Sequence, residues 1–484
     1  MYFNSYLFLL LFLPLCLVGY FGLQHFGYKK AALVFLTAMS LWFYGHMNVR
    51  HIPVLAVSMG VNYSLYILLL RAAPRGKKVC LWAALIFNLG SLLYYKYSGF
   101  FVDTLNGFFQ TNLVFSQLLL PLGISYFTFQ QISFIVDAYR EEKNHTPWDF
   151  LTYAAYVTFF PKMVSGPIAQ ADVLMPQFRD TERHQFSYEN FSRGLYLFAL
   201  GLGKKVLIAD VFGKAANWGF GNIFALDSTS AIVTVLSYTI QIYFDFSGYS
   251  DMAMGIGKML NFDLPLNFNS PYKAKTIQDF WDRWHISLTR FWTRYVYIPL
   301  GGSRVSTLRT YGNILLVFLI SGLWHGANWT FILWGLLHGL FSLAYRAGKK
   351  LFDKLPGFLN GLITFCFVNG AWILFRADSV KDAVHMLRRI LRLDFQSVRP
   401  ELLEAFTVEE ISFLLKWLGD LHCPWFGLIL FFAVAGYLLF GTTNAHEKTL
   451  AFRPTLGRAL VTTSLLLWSI FTFSGISAFL YSNF

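Results

Sequence analysis

Long apolar runs separated by short polar punctuation dominate the chain. Five of them, at about residues 4–25, 31–47, 52–70, 79–97 and 117–138, come close to the roughly 20 residues that a helix needs to cross a bilayer. They predict five simple spans. The pattern then changes. Tyr153–Gln170, "YAAYVTFFPKMVSGPIAQ", is apolar but interrupted by Pro161, Gly166 and Pro167. Irregular backbone at membrane depth is tolerated only where protein or a water-filled cavity covers it. This stretch therefore predicts a re-entrant or partly buried segment lining a working cavity. Gly194–Phe220 is amphipathic, with Lys204 and Lys205 in its middle. It predicts a helix lying at the cytoplasmic interface or entering the membrane at a tilt. Ala231–Leu260 begins as a span and then meets Asp245, Ser247, Tyr249, Ser250 and Asp251. Acids in such a place must face a cavity or find partners.

From Thr310 to Tyr345 there is no Asp, Glu, Lys or Arg. The run is too long for one upright span and short for two, and "GLWHGANW" (Gly322–Trp329) marks the break. His325 is thereby placed well below the membrane surface, in a kink or between two short helices. Further spans are expected near 358–375, 424–441 and 459–481, and Arg376–Gln396 reads as a basic amphipathic helix. The expected fold class is an all-α polytopic membrane protein of about 10–12 transmembrane or re-entrant helices. One membrane domain covers 1–484: scaffold spans over 1–140, a core over 141–345 and C-terminal spans over 346–484.

Composition supports a bilayer as the main solvent. Hydrophobic residues make up 56 % and charged residues 13 %, against about 25 % charged in ordinary soluble domains. The net charge of +13 sits in short loops, at Lys29–Lys30, Arg71–Lys78 and Arg140–Lys143, as the positive-inside rule expects. Nucleic acid is excluded as a partner on this distribution, and the N-terminus is placed outside. The rule conflicts with itself later, because Lys349, Lys350 and Lys354 and then Arg388, Arg389 and Arg392 all favour the cytoplasm across one apparent span. The first run has no positive n-region and no small-x-small cleavage site, so it reads as a retained span. Cys16, Cys80, Cys366 and Cys423 include no C-x-x-C, and neither a metal site nor a disulfide is expected.

The densest chemistry lies in "DFWDRWHISLTRFWTRYVYIPLGGSR", Asp279–Arg304. Trp281, Trp284, Leu288, Phe291 and Tyr295 fall on one helical face, and Arg283, Ser287, Arg290 and Arg294 on another. Arginines in such a stripe suit phosphate or carboxylate; the alternative is an interfacial helix with snorkelling arginines and an incidental histidine. His285 lies on the flank between the faces. His325 is a titratable group deep in an uncharged run, hence a functional candidate, since a neutral imidazole can take a proton from a hydroxyl. The competing reading is a core histidine satisfied by a backbone carbonyl. His338 lies on a different helical face and reads as structural or supporting. No G-x-S-x-G nucleophile motif is present. "HTPWD" (His145–Asp149) matches an H-x-x-x-D pattern of soluble acyltransferases, but in a polar loop with Pro147 it reads as a chance match.

Together, "FNSPYKAKTIQDFWDRWHISLTRFWTRYVYIPLGGSR" and "GLWHGANW" resemble the membrane-bound O-acyltransferase superfamily. The closer resemblance is to its bacterial branch with the alginate O-acetyltransferase membrane subunit and the teichoic acid D-alanyl-transfer protein. "LPLGISYFTFQQISFIVDAYR", "FPKMVSGPIAQ", "QIYFDFSGYSDMAMGIGKMLNFDLPLNFNSPY" and the ending "FLYSNF" extend it over almost the whole chain. The resemblance implies a helical domain around a bilayer-crossing tunnel, in a bacterial inner membrane. It implies His325 as catalytic histidine and His285 as the second active-site position. Trp284, Trp324, Asn328 and His338, the three arginines, Asp245, Ser247, Tyr249, Asp251, Gly166 and Pro167 become support or substrate-binding candidates. It implies a cytoplasmic thioester donor, acetyl-CoA or an acyl carrier protein with phosphopantetheine, and no tightly bound cofactor. Outside, it implies an exported polysaccharide acceptor and a periplasmic or extracellular SGNH-like acetyltransferase partner, with membrane lipids as surroundings. D-alanyl or other acyl transfer from a carrier protein is the alternative within the family. A proton-coupled transporter or flippase is the alternative of another class, although no repeated halves with matching broken helices are visible.

Overall fold

A computed structural model describes residues 1–115, 119–140, 146–407, 424–473 and 479–480. Among these the chain is helical and has no strands. Helices α1 (Leu7–His25), α2 (Lys29–Gly45), α3 (His51–Arg71) and α4 (Pro74–Phe109) follow the first four predicted spans. α1, α3 and α4 are long and apolar enough to cross a membrane. A reciprocal amide pair joins α3 to α4: Asn88 Nδ2 donates to Asn62 Oδ1 at 2.6 Å, and Asn62 Nδ2 donates back at 3.2 Å. Such pairs hold helices together where lipid offers no partner. α4 continues through a π-turn at Leu93–Tyr97 into "SGFFVDTLNGFF", expected as a connection.

The fifth apolar run corrects the sequence reading. Its helix, α5 (Ile124–Arg140), buries Ser125, Thr128, Gln130, Gln131, Ser133 and Asp137. It is an inner helix surrounded by protein rather than a simple lipid-facing span. Residues 117 and 118 of that run lie outside the described residues, as do His145 and Cys423. The interrupted segment forms α6 (Phe150–Thr158), one turn at Phe160–Met163, irregular backbone, and α7 (Ala171–Arg179). Residues 165–169 are buried in protein, as membrane-depth irregular backbone requires. Gly166 is confined there, because a Cβ on it would collide with the Lys162 backbone.

α8 (Tyr188–Gly203), a π-turn at Lys204–Ala209 and α9 (Asp210–Gly221) run antiparallel to α10 (Ser228–Met259). The 32 residues of α10 span about 48 Å at 1.5 Å each. Glycines let the backbones meet: a Cβ on Gly201 would stand 2.6 Å from Gly248 O, and one on Gly255 2.7 Å from Gly194 O. The expectation of an interfacial helix at Gly194–Phe220 is therefore overturned. Its two lysines can be interior because α10 supplies their counter-charges. Lys204 Nζ lies 2.6 Å from Asp251 Oδ2, and Lys205 Nζ 2.7 Å from Asp245 Oδ1 and 2.8 Å from Asp210 Oδ1.

Two short helices, α11 (Ile277–Arg283) and α12 (Ile286–Trp292), lead to a helical hairpin, α13 (Thr307–His325) and α14 (Trp329–Ala347). The predicted break at "GLWHGANW" is its turn. Gly335 carries no side chain where its helix crosses Gly322, the two Cα regions meeting at 3.2 Å from an added Cβ. α15 (Gly357–Arg376) and α16 (Val380–Leu391) follow, then α17 (Pro424–Gly436), extended by a π-turn at Tyr437–Gly441, and α18 (Leu456–Phe471). The run expected over 459–481 thus ends as a helix at Phe471. Among the described residues, α13 and α15 complete the set of five helices long and apolar enough to cross a membrane. α16 buries Ala383 and Met386 and lies against the start of α10, where Ser228 Oγ donates to Arg389 O at 2.7 Å.

Breaking one interior pair leaves a largely buried carboxylate without its counter-charge. Lys204→Met should destabilise the protein by about 3–5 kcal/mol, read as lost thermal stability in detergent. Lys204→Met combined with Asp251→Leu should recover most of that loss; a double variant as unstable as the single one would refute the pairing argument.

Candidate active site

The stretch Asp279–Arg304 is not one amphipathic helix. It breaks between α11 and α12, with His285 in the left-handed region at φ +45°. The cause is a tertiary pairing. Asn269 N donates to Arg283 O at 2.9 Å, and Ile286 N donates to Asn267 O at 3.0 Å. Thr276 caps α11, its Oγ accepting Asp279 N at 3.0 Å. The break divides the expected aromatic face. Trp281 and Trp284 join a cluster with Trp334 and Trp372, while Leu288, Phe291 and Trp292 join Phe129 and Trp324.

His285 is fully buried. Its Nδ1 lies 3.0 Å from Asn267 Oδ1, and the Phe246 ring meets it edge-on at 4.8 Å. His325 ends α13 and is 3 % exposed. The Trp324, Trp334 and Phe375 rings surround it at 4.9, 5.2 and 5.2 Å. The two imidazoles are 6.4 Å apart between ring centres, inclined by 56°. The pair that the motifs single out is thus one site.

The last turn of α13 is held from α4. Lys96 Nζ donates to Trp324 O at 2.7 Å and reaches His325 O at 3.4 Å, and Tyr97 OH donates to Leu323 O at 2.8 Å. Helix C-terminal carbonyls lack intrahelical partners and carry negative dipole charge, so an ammonium is a fitting cap. Sequence reasoning missed this residue although its signal was available: Lys96 is the sole charge between Lys78 and Asp103. It also lies within the 1–140 block read as scaffold. Asn267 and Trp334 were missed too, and nothing local in the sequence marks them.

Other candidates have structural partners. Arg283 pairs with Asp279 at 2.6 Å, and Arg294 with Asp137 and Asp172 at 3.0 and 2.7 Å. Arg290 is exposed. The arginines therefore do not converge as a stripe. Asp245 and Asp251 are engaged by lysines, Ser247 is buried on α10, and Tyr249 packs against Phe3 and Phe479. Asn328 caps α14, accepting Thr330 N at 3.1 Å. Asp149 of "HTPWD" caps α6, accepting Thr152 N at 2.9 Å. Gly166 and Pro167 touch the site indirectly, since Ile168 N donates to Ser287 Oγ at 3.0 Å. Trp284 stacks on Phe280 at 5.6 Å. His338 is buried among Trp281, Trp334 and Phe367, with the Trp334 ring also touching His325.

The indole N–H groups of Trp324 and Trp334 are buried and have no hydrogen-bond partner among the described residues. A buried indole N–H ordinarily has one, and both rings pack on His325. A cavity of about 1540 Å³ is lined by Lys204, Gln241, Phe331, Phe375 and Arg376 among others, and by neither histidine. Phe375 faces both the cavity and His325.

Two imidazoles are thus buried side by side in a multi-pass helical membrane domain. The chain belongs to the membrane-bound O-acyltransferase family, whose model matches residues 81–377. That interval contains both histidines and runs from α4 to the end of α15. The chain is 38 % identical over 525 residues to the peptidoglycan O-acetyltransferase of Helicobacter pylori, covering 100 % of this chain and 97 % of that protein. It is 38 % identical over 396 residues to a probable alginate O-acetylase of Pseudomonas aeruginosa, covering 80 % and 74 % respectively. The teichoic acid D-alanyltransferase of Bacillus subtilis is 31 % identical over 276 residues, covering 52 % and 68 %.

If Lys96 holds the end of α13 in place, Lys96→Met should lower kcat by on the order of tenfold or more, as expected for losing a charged hydrogen bond worth about 1.5–3 kcal/mol. Steady-state acyl transfer by the folded variant checks this; an unchanged kcat would return Lys96 to a purely architectural role.

Proposed function

We propose that the protein moves an acetyl group from a cytoplasmic thioester donor across the membrane to a hydroxyl on an exported polysaccharide or on a periplasmic partner protein. The observation that carries this reading is the buried His285–His325 pair, 6.4 Å apart, with Phe375 packed on His325 and lining a cavity of about 1540 Å³. The end-to-end match with a peptidoglycan O-acetyltransferase favours peptidoglycan as acceptor class over alginate. The D-alanyl relative aligns with about half of the chain and supports that reading less. A transporter or flippase has no comparable support.

The chemistry is direct transfer. The His325 imidazole takes the proton of the acceptor hydroxyl as its oxygen attacks the thioester carbonyl carbon. The negative charge moves to the carbonyl oxygen, where the Trp324 and Trp334 N–H groups are the donors at hand. Collapse of the intermediate breaks the C–S bond, and the sulfur leaves as a thiol with the proton from His325. The exposed Arg290 is the one arginine of the predicted stripe left for donor phosphates. Acetyl-CoA, or an acyl carrier protein with phosphopantetheine, is the donor in this reading. A periplasmic SGNH-like acetyltransferase is the partner that completes delivery. The loop charges support a bacterial inner membrane with the N-terminus outside, and the chain acts as one domain.

The test uses the full chain in liposomes, with labelled acetyl-CoA and peptidoglycan fragments or alginate supplied outside. His325→Ala should lower transfer by roughly 10²–10⁴-fold without loss of folding. A variant with wild-type turnover would remove His325 from the mechanism, and label reaching only alginate would replace the acceptor.

A further inference from the structure

Asn267 does more than break a helix. Its Oδ1 faces three groups: Ser287 Oγ at 2.9 Å, Ser287 N at 3.4 Å and His285 Nδ1 at 3.0 Å. Its Nδ2 faces Ser250 Oγ on α10 at 3.3 Å. A backbone N–H can only donate, so the amide oxygen, not the nitrogen, must point at Ser287. Facing that oxygen, His285 Nδ1 must carry a hydrogen. The hydrogen bond made by one ring nitrogen sets the state of the other. In the neutral ring, Nε2 then holds a lone pair.

We infer that Asn267 is a positioning residue that fixes His285 as its Nδ1–H tautomer, so that His285 serves the reaction as an acceptor at Nε2 and not as an oxyanion donor. This rests on the acyl-transfer reading above and assigns the second histidine its part in it. A direct N···N hydrogen bond would bring the ring centres to about 5 Å. At 6.4 Å the two rings are close enough to interact electrostatically without sharing one bond. When His325 takes the hydroxyl proton it becomes an imidazolium. The lone-pair end of the His285 dipole then stabilises that cation until His325 gives the proton to the departing sulfur. No covalent bond to His285 forms or breaks. Oxyanion stabilisation falls to the indole N–H groups instead.

Asn267 is wholly buried and its substitution tests the point by rescue. In Asn267→Asp a carboxylate oxygen still accepts from His285 Nδ1 and from Ser287, and the Ser250 hydroxyl turns to donate. In Asn267→Leu no acceptor remains. The expected result is a fall in kcat on the order of 10²–10⁴-fold for Leu, the range for losing a base or its tautomer control, with KM changed less than about threefold and most of the kcat restored by Asp. Nitrogen-15 spectra of histidine-labelled full chain in liposomes, with His285→Gln to assign the signal, read the tautomer directly. Wild type and Asn267→Asp should show the proton on Nδ1. Wild-type His285 protonated on Nε2 would overturn the inference even if Asn267→Leu fails to fold. So would an Asn267→Leu protein of wild-type kcat beside an inactive His325→Ala. An active His325→Ala would instead remove His325 from the mechanism, a transfer-inactive wild type would sink the acyl-transfer reading, and the spectra would still decide the tautomer.

Discussion

The pairing of interior lysines with α10 carboxylates is the constraint on which the rest of the structure depends. A membrane-embedded chain has little water with which to solvate a charge, so each ion must be met by protein. Lys204 and Lys205 are met by Asp251 and Asp245, which fixes the register of α8 and α9 against α10. The glycines at 194, 201, 248 and 255 then allow backbone contact. These two features need each other. Ion pairs of 2.6–2.7 Å require helices at close range, and close range requires residues without side chains at the crossing. Once α10 is set, its Phe246 and Ser250 become the floor on which His285 and Asn267 rest.

The second histidine wall is built by a different device. α13 stops inside the protein, and its terminal carbonyls would be orphaned there. Lys96 and Tyr97, delivered by the π-turn of α4, satisfy them. The turn matters, since a π-turn shifts the helical phase and lets neighbouring residues 96 and 97 both address the end of α13. The site is therefore suspended between two anchors: α10 holds His285 through an amide, and α4 holds His325 through a helix end.

Much of this was legible in the sequence, and what was not has a physical reason. Apolar run length gave α1 to α4, and the glycine-rich break gave the α13–α14 turn with His325 at it, because these are local properties. The acids at 245 and 251 announced the need for partners, and the lysines at 204 and 205 were visible, but their pairing depends on two helices lying antiparallel. The error at Gly194–Phe220 follows: two charges in an amphipathic run look interfacial until their counter-ions are known. The error at Asp279–Arg304 has the same origin. The 3.6-residue period was real, but Asn267 and Asn269 outcompete the helix at Trp284–His285 by pairing with its backbone. Likewise α5 looked like a span because Phe and Ile dominate its composition, although its glutamines and Asp137 require protein on every side.

The same break explains why two histidines in one site are not equivalent. A histidine inside a continuous α11–α12 helix would point wherever the helix phase sent it, and its nitrogens would be set by chance neighbours. A left-handed residue between two helices is placed instead by what pairs with its flanking backbone, which here is Asn267. The residue that bends the chain is thus the residue that takes Nδ1. Helix capping and three aromatic rings position His325. One imidazole has its hydrogen fixed, and the other stands in an aromatic pocket where a proton can be taken and returned. That asymmetry follows from how the backbone is terminated at each histidine, and under the proposed mechanism it divides the labour of proton transfer between them.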